Sequence, residues 1–315
     1  MARRKLVNIS FIVEDDFTAP FTVNGYTFHP QAPAQRQGAI NVTTASQILR
    51  DNRRNIQNAY VEYIGPQRSS VIFRSGRVGA NPQNSRERKI LEDLLVLGSV
   101  LTAHNWQLFS YKRYVQYPIV SRNHLEYISR DSNQCREHME TATACLLDQN
   151  WQRQFRNGFH LPMLLNHANI LNAESRFLSM VVLWEWLYPH LHNPQGATPN
   201  DESNDLREIF YFILNYFWPN QVNVSLRTSN IFHVLRNQLA HSGKLPINRG
   251  YADQWMTQLQ WDRTTTARGI NEYLKFFDRL TQVAVLKTLG IHGEQSLAAF
   301  NFPQQLQTFL STGKI

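Results

Sequence analysis

Strand-like patterning nearly vanishes from this sequence after residue 131, and apolar residues then recur at helical spacing. A chain whose side-chain period switches once is expected to fold as two parts of different class. With 315 residues, both parts can have a core of their own. The linker "SRDSNQ" (129–134) marks the expected boundary. The predicted fold class is an α+β N-terminal domain over 1–130, an antiparallel sheet plus a helix. An all-α helical bundle is expected over 131–315.

Within the front half, "KLVNISFIV" (5–13) is β-branched and partly alternating. "FTVNGYTF" (21–28) sets Asn24-Gly25 between two strand-like arms, a strong hairpin signal. "AINVTTAS", "AYVEYIG" and "SSVIFRSG" follow, each bounded by turn residues. A helix is expected over 85–102, where Ile90, Leu91, Leu94, Leu95, Leu97 and Leu101 recur at helical spacing. Strand character returns over 106–120.

In the second half, "HMETATACLLDQN" reads as a helix and 161–187 as one long helix, with Pro162 near its start and Pro189 after its end. "PNDESNDLREIFYFILNYFW" opens on capping residues and stops at Pro219. "TSNIFHVLRNQLAHSG" is expected to start at Thr228 or Ser229 and stop at Gly243. A last helix, 264–290, has Thr caps and a terminal Gly290. Short connections between four or five helices imply a bundle.

The net charge is +8, and 25 of the 32 basic residues are Arg. The planar guanidinium grips phosphates and stacks on bases, so this excess favours a nucleic-acid partner. Two cysteines, Cys135 and Cys145, stand apart from any zinc spacing and are expected as reduced thiols in a cytoplasmic protein. "MARRKLVNIS" lacks the apolar run of a signal peptide, and "MVVLWEWLY" (180–188) is too short to span a membrane. Phosphate-loop, dinucleotide, nucleophile-elbow and HExxH motifs are missing, and His167, His190 and His192 lack ligand-like spacing. No cofactor and no metal is expected.

One constellation remains. Arg, then four to six intervening residues, then His occurs three times: Arg153/His160, Arg227/His233 and Arg236/His241. The first pair crosses a turn-like Asn-Gly and the second a predicted helix start. Only Arg236/His241 falls at the end of an amphipathic helix, with Asn237 directly after the Arg. These residue types suit RNA cleavage without a metal. The 2′-OH is the nucleophile, a His can remove its proton or protonate the leaving 5′ oxygen, and an Arg can hold the phosphate as charge develops. A helix C-terminus also favours a cationic imidazole. Asn237 is expected to orient His241 or the phosphate. Glu174, His233, Ser242 and Lys244 are expected as supporting residues; a purely packing role for His233 and a surface or salt-bridge role for Glu174 and Arg176 are the competing readings. A helix separates Arg236 from His241 by about 140°, which one straight helix does not easily close.

"RNQLAHSGK", the long helix "AESRFLSMVVLWEWL" before it, and "LEDLLVLGSVLTAHNW" in the front half resemble the HEPN superfamily, in particular its Apea-like and abortive-infection members. In this chain Ser242 and then Gly243 follow the His. The resemblance implies a HEPN-like bundle and a metal-independent endoribonuclease that leaves a 2′,3′-cyclic phosphate. It implies Arg236, Asn237 and His241 as the catalytic set. It also implies a homodimer whose two Arg/His pairs line one cleft, and a role in prokaryotic antiviral defence or as a toxin, with a trigger or neutralising partner. Two other readings stand beside it: an inactive bundle that binds nucleic acid or dimerises, and a ligand sensor.

Overall fold

The computed structural model describes residues 6–12, 21–24, 26–29, 62–64, 70–79, 85–103, 106–111, 114–115, 124–129, 131–170, 172–193, 205–224, 226–243, 270–292 and 302–312. The chain divides into two compact units, 1–144 and 145–315. The expected linker at 129–134 leads into a helix, and the division falls near that helix's far end.

In unit 1, β1 (Leu6–Ile12) pairs antiparallel with β5 (Ser70–Gly79) and β6 (Gln107–Tyr111). β2 (Phe21–Val23) and β3 (Tyr26–His29) form a hairpin with Val23 opposite Tyr26. Asn24 takes φ 48°, the left-handed value that a two-residue hairpin turn needs. β3 and β4 (Glu62–Ile64) both pair with β5, and β7 (Tyr114–Val115) pairs with β6. "AINVTTAS" and residues 116–120 lie outside the described residues.

α1 (Ser85–Thr102) buries Leu94, Leu95, Leu97 and Leu101 of the predicted stripe, and Val100 with them. Trp106 closes back on it: its N–H donates to Ser99 Oγ at 2.7 Å and its Nε1–H to Thr102 Oγ1 at 2.9 Å. Gly98 makes that approach possible, because a Cβ there would collide with the indole ring.

α2 (Ser132–Leu147) starts earlier than expected because Asp131 caps it, its Oδ1 accepting from Gln134 N–H at 2.8 Å. Asp148 in turn caps the short α3 (Gln149–Gln154), accepting from Trp151 N–H at 2.7 Å. A left-handed turn follows, with Arg156, Asn157 and Gly158 at φ 44°, 57° and 76°. The Asn-Gly between Arg153 and His160 is therefore a turn, and His160 is fully buried while Arg153 is exposed.

The single helix expected over 161–187 is two helices, α4 (His160–Ala168) and α5 (Ala173–His192). Asparagines break it. Asn169 Nδ2 donates to Leu165 O at 2.9 Å, and Asn172 Oδ1 accepts from Ser175 N–H at 2.9 Å, capping α5. Asn side chains compete with the helical ladder in this way. Pro189 lies inside the last turn of α5 rather than after it; only one ladder donor is lost, and Asn193 N–H still reaches Pro189 O at 2.9 Å.

α6 (Leu206–Phe217) is capped by Asp205 and is followed by Pro219, as the sequence indicates. α7 (Leu226–Ser242) begins before the expected Thr228 or Ser229, and Ser229 is buried inside its first turn. α8 (Ile270–Thr288) ends at Gly290, φ 72°; residues 264–269 lie outside the described residues. α9 (Phe302–Thr312) is the last helix. Every regular element described in unit 2 is thus a helix. α8 packs on α4, α5 and α6, and α6 also packs on α5 and α7. Trp184, Phe210, Phe276 and Phe277 are among the fully buried aromatics of this core, each contributing about 2–3 kcal/mol of apolar burial. Trp184 Nε1–H finds Thr281 Oγ1 at 2.8 Å, so the indole is buried without losing its hydrogen bond.

His160 is a polar member of this core. Its Nε2 lies 2.9 Å from Thr288 Oγ1, whose own hydroxyl donates to Val285 O at 2.6 Å. Nε2–H is therefore the donor. Burial, and secondarily the nearby His190, pushes its pKa from 6.5 down to about 3. A group depressed in the fold but free to titrate in the unfolded chain makes the unfolded state the better proton binder between those values. Stability is expected to be full above pH 6.5 and to fall by up to about 1.4 kcal/mol per pH unit below it. Urea melts from pH 7.5 to 4.5 check this; a slope unchanged in His160→Gln would remove the assignment.

Candidate functional site at the end of α7

The turns of α7 sort their residues by angle. Leu235 and Leu239 are buried on one side. Arg236, Ala240 and His241 are exposed, and His233 and Asn237 are half-buried. On a helical wheel the order across the open side is Arg236, Ala240, His233, Asn237, His241. Arg236 and His241 thus border one continuous polar face of about 140°, with Ala240 between them.

Asn237 Nδ2 lies 2.8 Å from His233 Nε2, one turn toward the N-terminus. That bond ties Asn237 to His233, whereas the sequence pointed to His241 or a phosphate. An amide nitrogen can only donate, so Nε2 accepts; with the amide turned over, Oδ1 accepts from Nε2–H instead. Asn237 can therefore hold either neutral tautomer. His241 lies a further turn along, so the three side chains follow one i, i+4, i+8 row.

Gly243 ends the helix behind them at φ 68°, its N–H donating to Leu239 O at 2.8 Å. A Cβ there meets nothing within 4 Å, so the position needs glycine for its backbone alone. Gly243→Ala is expected to destabilise unit 2 by about 1 kcal/mol, with Gly243→Asn costing less. Thermal melts of both variants test this. Of the other supporting residues, Ser242 is the last helical residue and Lys244 lies outside the described residues. Glu174 is half-buried in the first turn of α5, a different helix from the row. Arg176 is buried and ion-paired, its Nε 3.4 Å from Asp278 Oδ2.

One neighbour of His233 is not signalled by the sequence around it. Eight residues connect α6 to α7, and the two helices pack together, which brings Asp205 at the start of α6 within electrostatic range of His233. There Asp205 caps α6, accepting from Arg207 N–H at 2.9 Å, and Arg207 folds back onto it with Nη2 2.6 Å from Oδ2. The Arg207 bond holds the Asp205 carboxyl below the usual carboxylate range against a smaller opposing effect of burial; His233 adds a minor pull in the same direction. "NDLRE" (204–208) carries the cap signal, but only the helix packing brings it toward the His row.

No group of three or more His, Cys, Asp and Glu that could hold a metal occurs among the described residues. No described helix is long and apolar enough to cross a membrane. Cys135 and Cys145 are both free thiols. The chain matches no protein-family model, no curated protein and no solved structure.

Proposed function

We propose that this protein is a metal-independent endoribonuclease of HEPN type, cutting single-stranded RNA at the polar face of α7. The observation that carries the reading is the joint exposure of Arg236 and His241 at the two borders of one open helix face, with Asn237 and His233 between them. The 2′ oxygen attacks phosphorus, the P–O5′ bond breaks, one imidazole takes the 2′ proton and another delivers a proton to O5′. Arg236 balances the charge gained by the phosphoryl oxygens. The products are a 2′,3′-cyclic phosphate and a 5′-hydroxyl. Two imidazoles and two guanidiniums come together if the α7 faces of two copies meet, and the small Ala240 leaves room beside Arg236 on that face. In this reading unit 1 is an α+β domain that senses a trigger or guides RNA, and the setting is cytoplasmic, in prokaryotic antiviral defence or as a toxin.

A binding module is the second reading. It is favoured by the angular separation of Arg236 and His241 within one chain, which suits a phosphate-gripping surface as well as a cleft. The deciding experiment incubates the full chain with mixed cellular RNA in EDTA, beside His241→Ala and Arg236→Ala. Cleavage to cyclic-phosphate ends that both substitutions abolish supports the nuclease. Intact RNA that is bound equally by wild type and His241→Ala, with affinity falling steeply in salt, supports the binding module.

A further inference from the structure

The turn between α3 and α4 places a long cationic side chain where the backbone favours glycine or asparagine. Arg156 and Asn157 are the central residues of a turn closed by Gly158 N–H, which donates to Phe155 O at 3.0 Å. Both take positive φ, 44° and 57°. Asn enters that region readily, whereas Arg does so only under strain. Packing does not offset the strain. Arg156 is exposed, and among the described residues no hydrogen bond or ion pair holds its guanidinium. A strained residue whose side chain the fold leaves unused points to a use outside the fold.

Phe159 follows directly on this turn. It is 56 % exposed, the most exposed large apolar side chain among the described residues. Its ring lies 6.2 Å from that of Trp186 on α5. Trp186 is itself held: the His160 ring stacks on it at 5.2 Å, and the His190 ring lies 4.3 Å away. The open Phe159 ring is thus backed by fixed aromatics, so a ligand ring stacking on it has little left to order. Arg153, three residues before Arg156 and also exposed, bonds only neutral groups, Gln149 O at 3.3 Å and Asn150 Oδ1 at 2.8 Å. The acids nearest in sequence stand aside. Asp148 caps the opposite end of α3, and Glu185 lies about 100° round α5 from Trp186.

We propose that this turn is a contact for single-stranded RNA, in which an unpaired base stacks on Phe159 while Arg156 and Arg153 hold the flanking phosphates. An open ring beside two guanidiniums without carboxylate partners complements a base and its phosphates. The net charge of +8 attracts the same polyanion from a distance. The inference rests on RNA being the partner, as proposed above, and not on its being cut. Its residues lie on other elements than α7.

Fluorescence anisotropy of the full chain with a short, labelled 2′-O-methyl oligoribonucleotide tests it, because that probe has no free 2′-OH and cannot be cut. Phe159→Ala is expected to weaken binding about 10- to 100-fold with the salt dependence unchanged, since stacking releases no counterions. Arg156→Asn is expected to weaken binding and to lower the slope of log affinity against log salt by about 1. The same variant should raise the melting temperature, because Asn takes the left-handed backbone more readily; an Arg kept for the fold would do the reverse. Thermal melts also show that both variants fold. Wild-type binding that either variant leaves unchanged overturns this inference and leaves the nuclease reading standing. A wild type that does not bind the probe overturns both. Ordinary RNA left intact, with both binding losses observed, would remove the nuclease reading and keep this contact.

Discussion

His241→Ala is expected to slow metal-free RNA cleavage by about 10²- to 10⁴-fold, the range general acid–base groups contribute. Arg236→Ala should cost about 10²- to 10³-fold, the scale for one lost donor to a developing oxyanion. Both side chains are exposed, so neither substitution removes packing, and stability should stay within about 0.5 kcal/mol. The two variants should part on binding. Arg236→Ala loses a phosphate contact and should lower the slope of log affinity against log salt by about 1; His241→Ala should bind RNA almost as the wild type does. Single-turnover cleavage in EDTA, with filter binding at several salt concentrations, measures all of this. Cleavage that survives both substitutions would place the chemistry elsewhere in the chain. Asn237→Ala should have the smaller effect of a residue acting through His233, and an altered pH profile would be its signature.

Asp278→Ala should destabilise unit 2 by about 3–5 kcal/mol, the cost of stranding a buried charge. Asp278 sits on α8 and is 2 % exposed. Its Oδ1 is 2.9 Å from His167 Nε2 on α4, and its Oδ2 is 3.4 Å from Arg176 Nε on α5. His167 and Arg176 are also buried, so no solvent replaces the carboxylate when it is removed. Three helices are thus joined through one side chain. Removing the whole triad in favour of apolar residues of similar volume should cost far less than Asp278→Ala alone, because no charge is then left without its partner. Denaturant melts of the single and triple variants give the comparison; equal losses would mean that packing, and not charge, sets the cost.

Much of unit 2 was legible locally. Asp205, Gly243 and Gly290 stop and start helices through bonds made within a few residues, and such signals survive in one dimension. Legibility failed where two local tendencies competed. From 161 to 187 the apolar period runs on while Asn169 and Asn172 draw the backbone out of it, and the side-chain hydrogen bonds won. At Pro189 the opposite happened, and the helix continued to His192 despite the missing donor. Spacing alone offered Arg153/His160 as well as Arg236/His241, and only the helix context set them apart; burial also distinguishes them, leaving His160 inside the core and His241 exposed.

By itself, the sequence determined the switch from strand to helical period, the helix ends marked by Asp205, Gly243 and Gly290, and the set of residues at the end of α7, because each depends on neighbours a few positions away. Only the tertiary structure decided which polar groups are buried together. His167 and Asp278 are 111 residues apart, and nothing near either one announces the other. It also decided that Leu178 and Val182 on α5 are exposed and that Asp205 lies within electrostatic range of His233. Those are outcomes of how helices pack, and packing depends on every face of the bundle at once.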